Sequence, residues 1–560
     1  MTLSITKSIG DRLGLLYGER APQIASRLVS LLEAHHKAPD VHRPVWSERD
    51  VVLITYGDTV RSPGHTHLHS LNRFLNAWLS GIVNTVHILP FQPYSSDDGF
   101  SVMDYRSVNP ELGDWKDIKK IGESFHLMAD LVLNHVSAQG QWARAYREGH
   151  EKYRDYFIEM PEDADLAEVV RPRSLPLLTP VQTSRGTRHV WTTFSADQLD
   201  LDYSNPEVLM EMIDILMLYV SMGARIIRLD AIAYLWKKAG TCSIHLPETH
   251  AVVQLIREIL EQCAPGVLLV TETNVPHEEN VSYFGDGTNE AHMVYQFALP
   301  PLVLYSLLYG DARVLSEWAG RVRPPTELTT FFNFTASHDG VGLRPLEGIV
   351  PEENIRHMIS EIRERGGLVS TRKHKDGTDS PYELNVSYFS AMRDPGDPDD
   401  NPSIKRFLAS QAIALALQGM PALYFHSVFA TPNAHDWVKR TGSNRSINRR
   451  KYGADELHRL LREPGSSASR VYESIAHIVR TRTAEPSFHP NTEQQVLDLH
   501  PSLFAIRRGS IIAITNVSKT PLSISLHGTR AGSVPDILNS ENVSAGDVPL
   551  GAYETRWLKV

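Results

Sequence analysis

Cysteine is nearly absent. Cys242 and Cys263 are the only two in 560 residues, too few for a disulfide framework, and both fall in stretches that read as interior or helix, so reduced thiols are expected. No uninterrupted apolar run is long enough to cross a bilayer. Met1 to Arg12 has no apolar stretch after a basic start, so it does not read as a signal peptide and a cytoplasmic location is expected. Positive charge is also in deficit: a net charge of -10 argues against nonspecific binding to nucleic acid or anionic membranes, which rely on dense basic surfaces. A small anion is a different matter, since a few local arginines or lysines suffice. There is no glycine-rich phosphate loop, zinc spacing or nucleotide fingerprint, and no cofactor is expected. His65, His67 and His69 alternate in HTHLH, but no nearby carboxylate or cysteine completes a set, so no metal is expected either.

What is present is length and repetition. The chain can hold a barrel of about 250 residues with insertions and a further small domain. Ile24, Leu28, Leu31 and Leu32 recur at helical spacing until Pro39 and Pro44, which marks residues 1–48 as a helical extension. Short apolar runs then alternate with longer amphipathic stretches, the pattern of βα units. Eight runs, at 51–56, 85–90, 126–134, 224–230, 267–272, 293–297, 329–337 and 420–425, close a (β/α)8 barrel over 49–484. The intervals at about 136–223 and 340–419 exceed a simple crossover and are expected to form inserted subdomains walling the site. Short β-like runs after 485, among them 503–506 and 511–516, predict a small C-terminal β-domain over 485–560.

Barrel active sites lie at the C-terminal strand ends, so the polar residues there carry the interest. In GARIIRLDAIAY, Ile226, Arg228 and Asp230 share one strand face. Arg228 is expected to keep Asp230 ionised and able to attack a sugar carbon; a structural ion pair has the same signature. In VLLVTETN, Glu272 follows Val270 and Leu268, an apolar wall that would raise its pKa and suit proton donation. NFTASHDG supplies His338 and Asp339, and DLVLNH supplies Asp130, Asn134 and His135.

Taken in order, DLVLNH, RIIRLDAI, VTETN and TASHDG resemble the four motifs of the α-amylase family, glycoside hydrolase family 13. The resemblance implies Asp230 as nucleophile, Glu272 as general acid/base and Asp339 as transition-state stabiliser, with Arg228, His135 and His338 holding the donor sugar. A retaining mechanism of this kind needs the two carboxyls about 5 to 5.5 Å apart.

Within the family, the chain is most similar to the sucrose phosphorylase group. LPFQPYSSDDGFSVMDY resembles its donor loop, implying Asp97 on the glucose hydroxyls and Phe100 on the ring, and SNRSINRRKY similarly brings Arg445 toward Asp97. RPRSLP implies Arg173 as a phosphate ligand, shared with Tyr382; Arg171 and Arg173 capping a surface loop is the plainer alternative. WTTFSADQLD adds Phe194 and Gln198, and Tyr234 follows the nucleophile. The acceptor loop departs from the sucrose pattern, with Ser380 where an aspartate stands and Glu383 in place of a glutamine. SPYELN and the N-terminal extension look more like glucosylglycerate phosphorylases, implying transfer of glucose from 2-O-α-glucosylglycerate to phosphate. Arg372, Lys373 and Lys375 could pair with the acceptor carboxylate or form a solvated loop, whereas Glu383 would disfavour it. Glucosylglycerol, sucrose and sucrose 6′-phosphate stay open as substrates, as does hydrolysis or transglucosylation by the same intermediate. The partners implied are a small glucoside and inorganic phosphate, with a homodimer left open.

Overall fold

The computed structural model describes residues 6–35, 46–173, 175–373, 378–396, 400–526 and 532–560. Each of the eight apolar runs contains one strand: β1 (Val52–Thr55), β2 (Thr85–Ile88), β3 (His126–Val132), β4 (Ala224–Asp230), β5 (Leu268–Thr271), β6 (Met293–Tyr295), β7 (Thr330–Phe334) and β8 (Met420–Tyr424). All pair in parallel with their sequence neighbours, and β1 pairs with β2 on one side and β8 on the other, which closes the barrel. The run at 126–134 stops being strand after Val132. There the Val132 and Leu133 carbonyls accept from the buried hydroxyls of Tyr105 and Tyr203, each at 2.8 Å, instead of from a neighbouring strand. This releases Asn134 and His135 toward the barrel mouth.

The crossover helices start where side chains satisfy their free N–H groups. Pro206–Ser221 begins with proline in its first turn, and the Asn205 side chain accepts from the Glu207 N–H at 3.1 Å. Ahead of the barrel, α1 (Lys7–Tyr17) is capped by Thr6 and ends at Gly18, whose φ of +56° a side chain would resist. Helix α2 (Ala21–His35) follows. These two helices lie on the outside of the barrel: Arg12 pairs with Glu258 on the helix Pro247–Cys263, and Arg27 forks onto Glu207 at 2.6 and 2.7 Å. Residues 36–45 of the expected extension lie outside the described residues.

The two long intervals carry small antiparallel sheets. Between β3 and β4, Glu159–Met160, Gly186–Trp191 and Leu178–Thr183 form one sheet, and His135–Ser137 pairs with Gln198–Asp200 in another. Between β7 and β8, Asp379–Asn385 lies between Val341–Gly342 and Leu368–Lys373. After the helix Ser467–Thr483, residues 494–559 contribute a six-stranded antiparallel sheet. Cys263 ends a helix and is buried, but Cys242 is exposed on a loop, contrary to expectation. Among the described residues no helix is long and apolar enough to cross a membrane.

Two buried arginines bolt the C-terminal segment to the base of the barrel, with no carboxylate in hydrogen-bond contact among the described residues. Arg482 donates to the carbonyls of Leu415 and Phe488, and Arg508 to those of Ala416, His489 and Thr492 at 2.8, 2.7 and 3.1 Å. Burial, reinforced by Arg482, pulls the Arg508 pKa down to about 9. Arg508→Met would strip those three carbonyls of their donors, at about 1 to 3 kcal/mol for each buried group left unpaired. Its thermal unfolding midpoint is expected to fall by several degrees, whereas Arg507→Met, exposed on the same strand, should leave it nearly unchanged.

Candidate active site

On β3, β4 and β5, residues in register face the barrel interior together: Arg228 lies opposite Asp130 on one side and Val270 on the other. The Arg228 guanidinium is 2% exposed and meets three carboxylates. It hydrogen-bonds Asp130, and Asp230 at 2.7 Å, and stands 3.9 Å from Glu272. Asp130 also pairs with His87 at 2.7 Å. Burial pushes the Asp130 carboxyl up, but His87 and Arg228 more than offset it and hold the pKa at about 2. Asp130 is therefore a permanent anion, and it takes a large share of the arginine's charge.

Immediately after Asp230 the chain turns through Ala231 at φ +50°, a left-handed conformation costing a side-chain-bearing residue about 1 to 2 kcal/mol. In return the Ala231 N–H donates to Glu272 at 3.0 Å. One turn thus sets both carboxyls, Asp230 by its position and Glu272 through the backbone.

Every expected site residue except Glu383 lines one cavity at this strand-end mouth. Asp339 forms an ion pair with Arg445. Burial pushes its carboxyl up, but Arg445, Arg449, Arg228 and Arg173 together hold it below the usual carboxylate range. His338 stacks on Phe100, with ring centroids 4.8 Å apart and planes 8° from parallel. Burial keeps His135 and His338 neutral at neutral pH, lowering both from the ordinary histidine value. Phe194 packs between His135 and Tyr234 at 5.3 and 5.6 Å. Gln198 reaches His135 at 3.1 Å. Arg173 lies over the Tyr382 ring, 5.9 Å from its centroid, and no carboxylate contacts it among the described residues. Its neighbour Arg171 instead holds the Leu175 carbonyl.

The match to known proteins runs through these elements. Residues 81–312 fit the model of the α-amylase catalytic domain. A curated glucosylglycerate phosphorylase of Spirochaeta thermophila is 47% identical over 528 residues, covering 91% of this chain and 89% of the relative. One from Escherichia coli is 41% identical, covering 99% of this chain and all of the relative. The chain belongs to the sucrose phosphorylase group of the α-amylase family. Among solved structures, sucrose 6F-phosphate phosphorylase from Thermoanaerobacter thermosaccharolyticum superposes with a TM-score of 0.73 at 26% identity, covering 88% of this chain and 98% of that one.

For a member of this group, three expectations need correction. Arg445 is not the direct partner of Asp97: it forks onto Glu383 at 3.0 and 2.6 Å, while Arg449 approaches Asp97 at 3.8 Å and Asp98 at 2.8 Å. Glu383 consequently does not line the cavity, and its charge is spent on Arg445, so it opposes an anionic acceptor far less than its position in SPYELN suggested. Arg372 is held by Glu347 at 2.6 Å; the Lys373 side chain and Lys375 lie outside the described residues. Sequence reasoning missed Pro172, Ala231, Thr273 and Asn274 in the cavity wall and His87 and Arg449 behind it, and it named Asp130 without giving it a role. Asp130 stood in a quoted motif, and its place in register with Arg228 was the available signal. Among the described residues no cluster of histidine, cysteine and carboxylate side chains has a metal-holding arrangement.

Arg228 lowers the proton affinity of Asp230 as expected, but burial outweighs it, so the expectation that Asp230 is kept ionised needs correction. A full charge at 4 Å contributes about 4 kcal/mol at an effective dielectric of about 20. One arginine shared by three carboxylates cannot match the desolvation of all of them. Burial lifts the Asp230 carboxyl well above the ordinary range, with Glu272, Asp130 and Asp339 adding to it; burial and Asp339 raise Glu272 likewise. The two carboxyls titrate as a pair, and the form with one proton between them supplies both a base and an acid. Turnover should therefore fall at low pH as the pair takes a second proton and at high pH as it loses the last, with both limbs displaced upward from ordinary carboxylate values. In Glu272→Gln assayed with α-glucosyl fluoride, whose leaving group needs no proton, the alkaline limb of kcat/KM should disappear; a profile identical to wild type would reassign that limb.

Proposed function

We propose that this protein is a retaining glucoside phosphorylase that transfers the α-glucosyl unit of 2-O-α-glucosylglycerate to inorganic phosphate, releasing glycerate and α-glucose 1-phosphate. The observation that carries this reading is Arg173, a cation with no carboxylate contact among the described residues, in the same cavity wall as Asp230 and Glu272. A hydrolase has no use for such a group, while a phosphorylase must favour phosphate over water present at roughly fifty molar, and an arginine supplies the attraction. The relatives' substrate supports the choice of glucoside.

In the first displacement an Asp230 oxygen attacks the anomeric carbon as the bond to the glycerate oxygen breaks, and Glu272 gives that oxygen its proton. The product is a glucosyl ester on Asp230. Glycerate leaves and phosphate enters beside Arg173 and Tyr382. A phosphate oxygen then attacks the anomeric carbon from the opposite face, its proton passing to Glu272 as the ester bond breaks. Two inversions leave the α configuration intact. Asp339, kept anionic by its arginines, accepts from sugar hydroxyls as positive charge develops on the ring. The neutral rings of His135 and His338 offer hydrogen bonds without adding charge to the oxocarbenium-like state.

With 2-O-α-glucosylglycerate, α-glucose 1-phosphate should form only when phosphate is supplied. Free glucose appearing at the same rate with and without phosphate would overturn the assignment in favour of hydrolysis. Asp230→Ala and Glu272→Gln should each abolish turnover of the natural glucoside while retaining the wild-type circular dichroism spectrum. Arg173→Ala should raise the KM for phosphate by about tenfold or more, as for a lost charge-assisted contact, with a smaller effect on formation of the glucosyl ester. Equal losses in both half-reactions would remove it as the phosphate ligand.

A further inference from the structure

Arg344 is a largely buried cation that the proposed reaction leaves unused. It follows Asp339 on the same loop, just past the short strand Val341–Gly342, and its side chain is 14% exposed. Its guanidinium makes no hydrogen bond among the described residues. Nε is buried and unpaired, and the carboxylate beside it, Glu279, stands 3.7 Å away. Glu279 is itself engaged by His245 at 3.1 Å. Holding a guanidinium out of water without hydrogen-bonded pairing is costly, and an anionic ligand would relieve that cost.

The surroundings indicate which ligand. Arg344 and Arg173 both act electrostatically on the phenol of Tyr234, a residue of the cavity wall. Leu343 N–H donates to the Tyr382 carbonyl at 3.0 Å, tying the Arg344 segment to the other phenol of the wall. On the same segment Gly342 packs so closely on Asn274 that a Cβ there would lie 2.9 Å from the Asn274 amide and would push it aside. Asn274 lines the cavity two residues beyond Glu272, and its Oδ1 is buried with no donor. A guanidinium held by one long ion pair and no hydrogen bond among the described residues thus stands close enough to act on Tyr234 in the pocket wall, and the unpaired Asn274 Oδ1 lies in that wall. A small hydroxy acid carries the matching carboxylate and hydroxyl.

We propose that Arg344 and Asn274 form the acceptor subsite, Arg344 pairing with the carboxylate of a glycerate-type acceptor and Asn274 Oδ1 accepting from its hydroxyl. This deepens, and rests on, the reading of the protein as a phosphorylase of 2-O-α-glucosylglycerate. It also divides the cations: Arg344 serves the carboxylate, Arg173 serves phosphate, and Arg372 remains with Glu347. Arg344 is a specificity-determining residue here, and no bond is made or broken at it.

The test uses the full chain in the synthetic direction, with α-glucose 1-phosphate as donor, glycerate or glycerol as acceptor, and phosphate release as the readout. In Arg344→Ala, the ratio of kcat/KM for glycerate to that for glycerol should fall about 10- to 150-fold, the span of one charge-assisted hydrogen bond. Most of the loss should appear in the KM for glycerate, and Arg344→Lys should recover part of it. A ratio within about threefold of wild type, in a variant that melts at the wild-type temperature, would overturn the acceptor role while leaving the phosphorylase reading in place. If wild type itself prefers glycerol to glycerate, the glucosylglycerate reading falls and this proposal with it. Arg344→Gln, of similar length, carries the same comparison should the alanine variant fail to fold.

Discussion

The structure depends on how one buried guanidinium divides its charge. Arg228 can sit inside a barrel only because carboxylates from its own strand and from both neighbours surround it. Those carboxylates exceed it in number, so the centre carries a surplus of negative charge in a region water cannot screen. A proton held between Asp230 and Glu272 is the cheapest relief, and the same proton is what a double displacement requires of its acid/base. Asp130 pairs with Arg228 without itself lining the cavity. Tied down by His87 as well as Arg228, it never competes for that proton.

Across the cavity the balance reverses. Asp339 pairs with Arg445 and feels Arg449, Arg228 and Arg173 as well, four guanidinium groups where Asp230 has one, so it stays below the usual carboxylate range. The two halves of one pocket thus hold carboxyls in opposite states without any difference in residue type. Burial supplies the upward push on both sides, and the number of guanidinium groups within reach decides the outcome. Close packing supports this half: a Cβ on Gly340 would lie 2.4 Å from the Leu384 carbonyl, so the loop carrying Asp339 can lie against the strand carrying Glu383 only because that residue is glycine.

How much of this was legible beforehand follows from range. The barrel was legible because each strand is a local apolar run ending in polar residues, and parallel strands buried on both faces need no distant information to be recognised. Asp230, Glu272 and Asp339 were legible for the same reason, as the polar ends of such runs. Arg445 and Arg449 stand four residues apart in SNRSINRRKY, and nothing local says which reaches Asp97 and which reaches Glu383. The Arg344 guanidinium sits in an unremarkable LRPLEG segment, and its lack of a hydrogen-bonded partner is visible only when everything around it is in place. The basic segment beginning at Arg372 drew attention by density of charge, yet the arginine in it is held by a glutamate twenty-five residues upstream.

The sequence by itself determined the fold and which carboxyls stand at the strand ends that line the cavity, because strand periodicity and strand-end chemistry are written within a few neighbouring residues. Tertiary structure alone decided the upward shift of those carboxyls, the removal of Glu383 from the pocket and the burial of Arg344 with no hydrogen-bonded partner among the described residues. Each of these is a matter of desolvation and of charges brought together from distant parts of the chain, and neither quantity exists until the chain has folded.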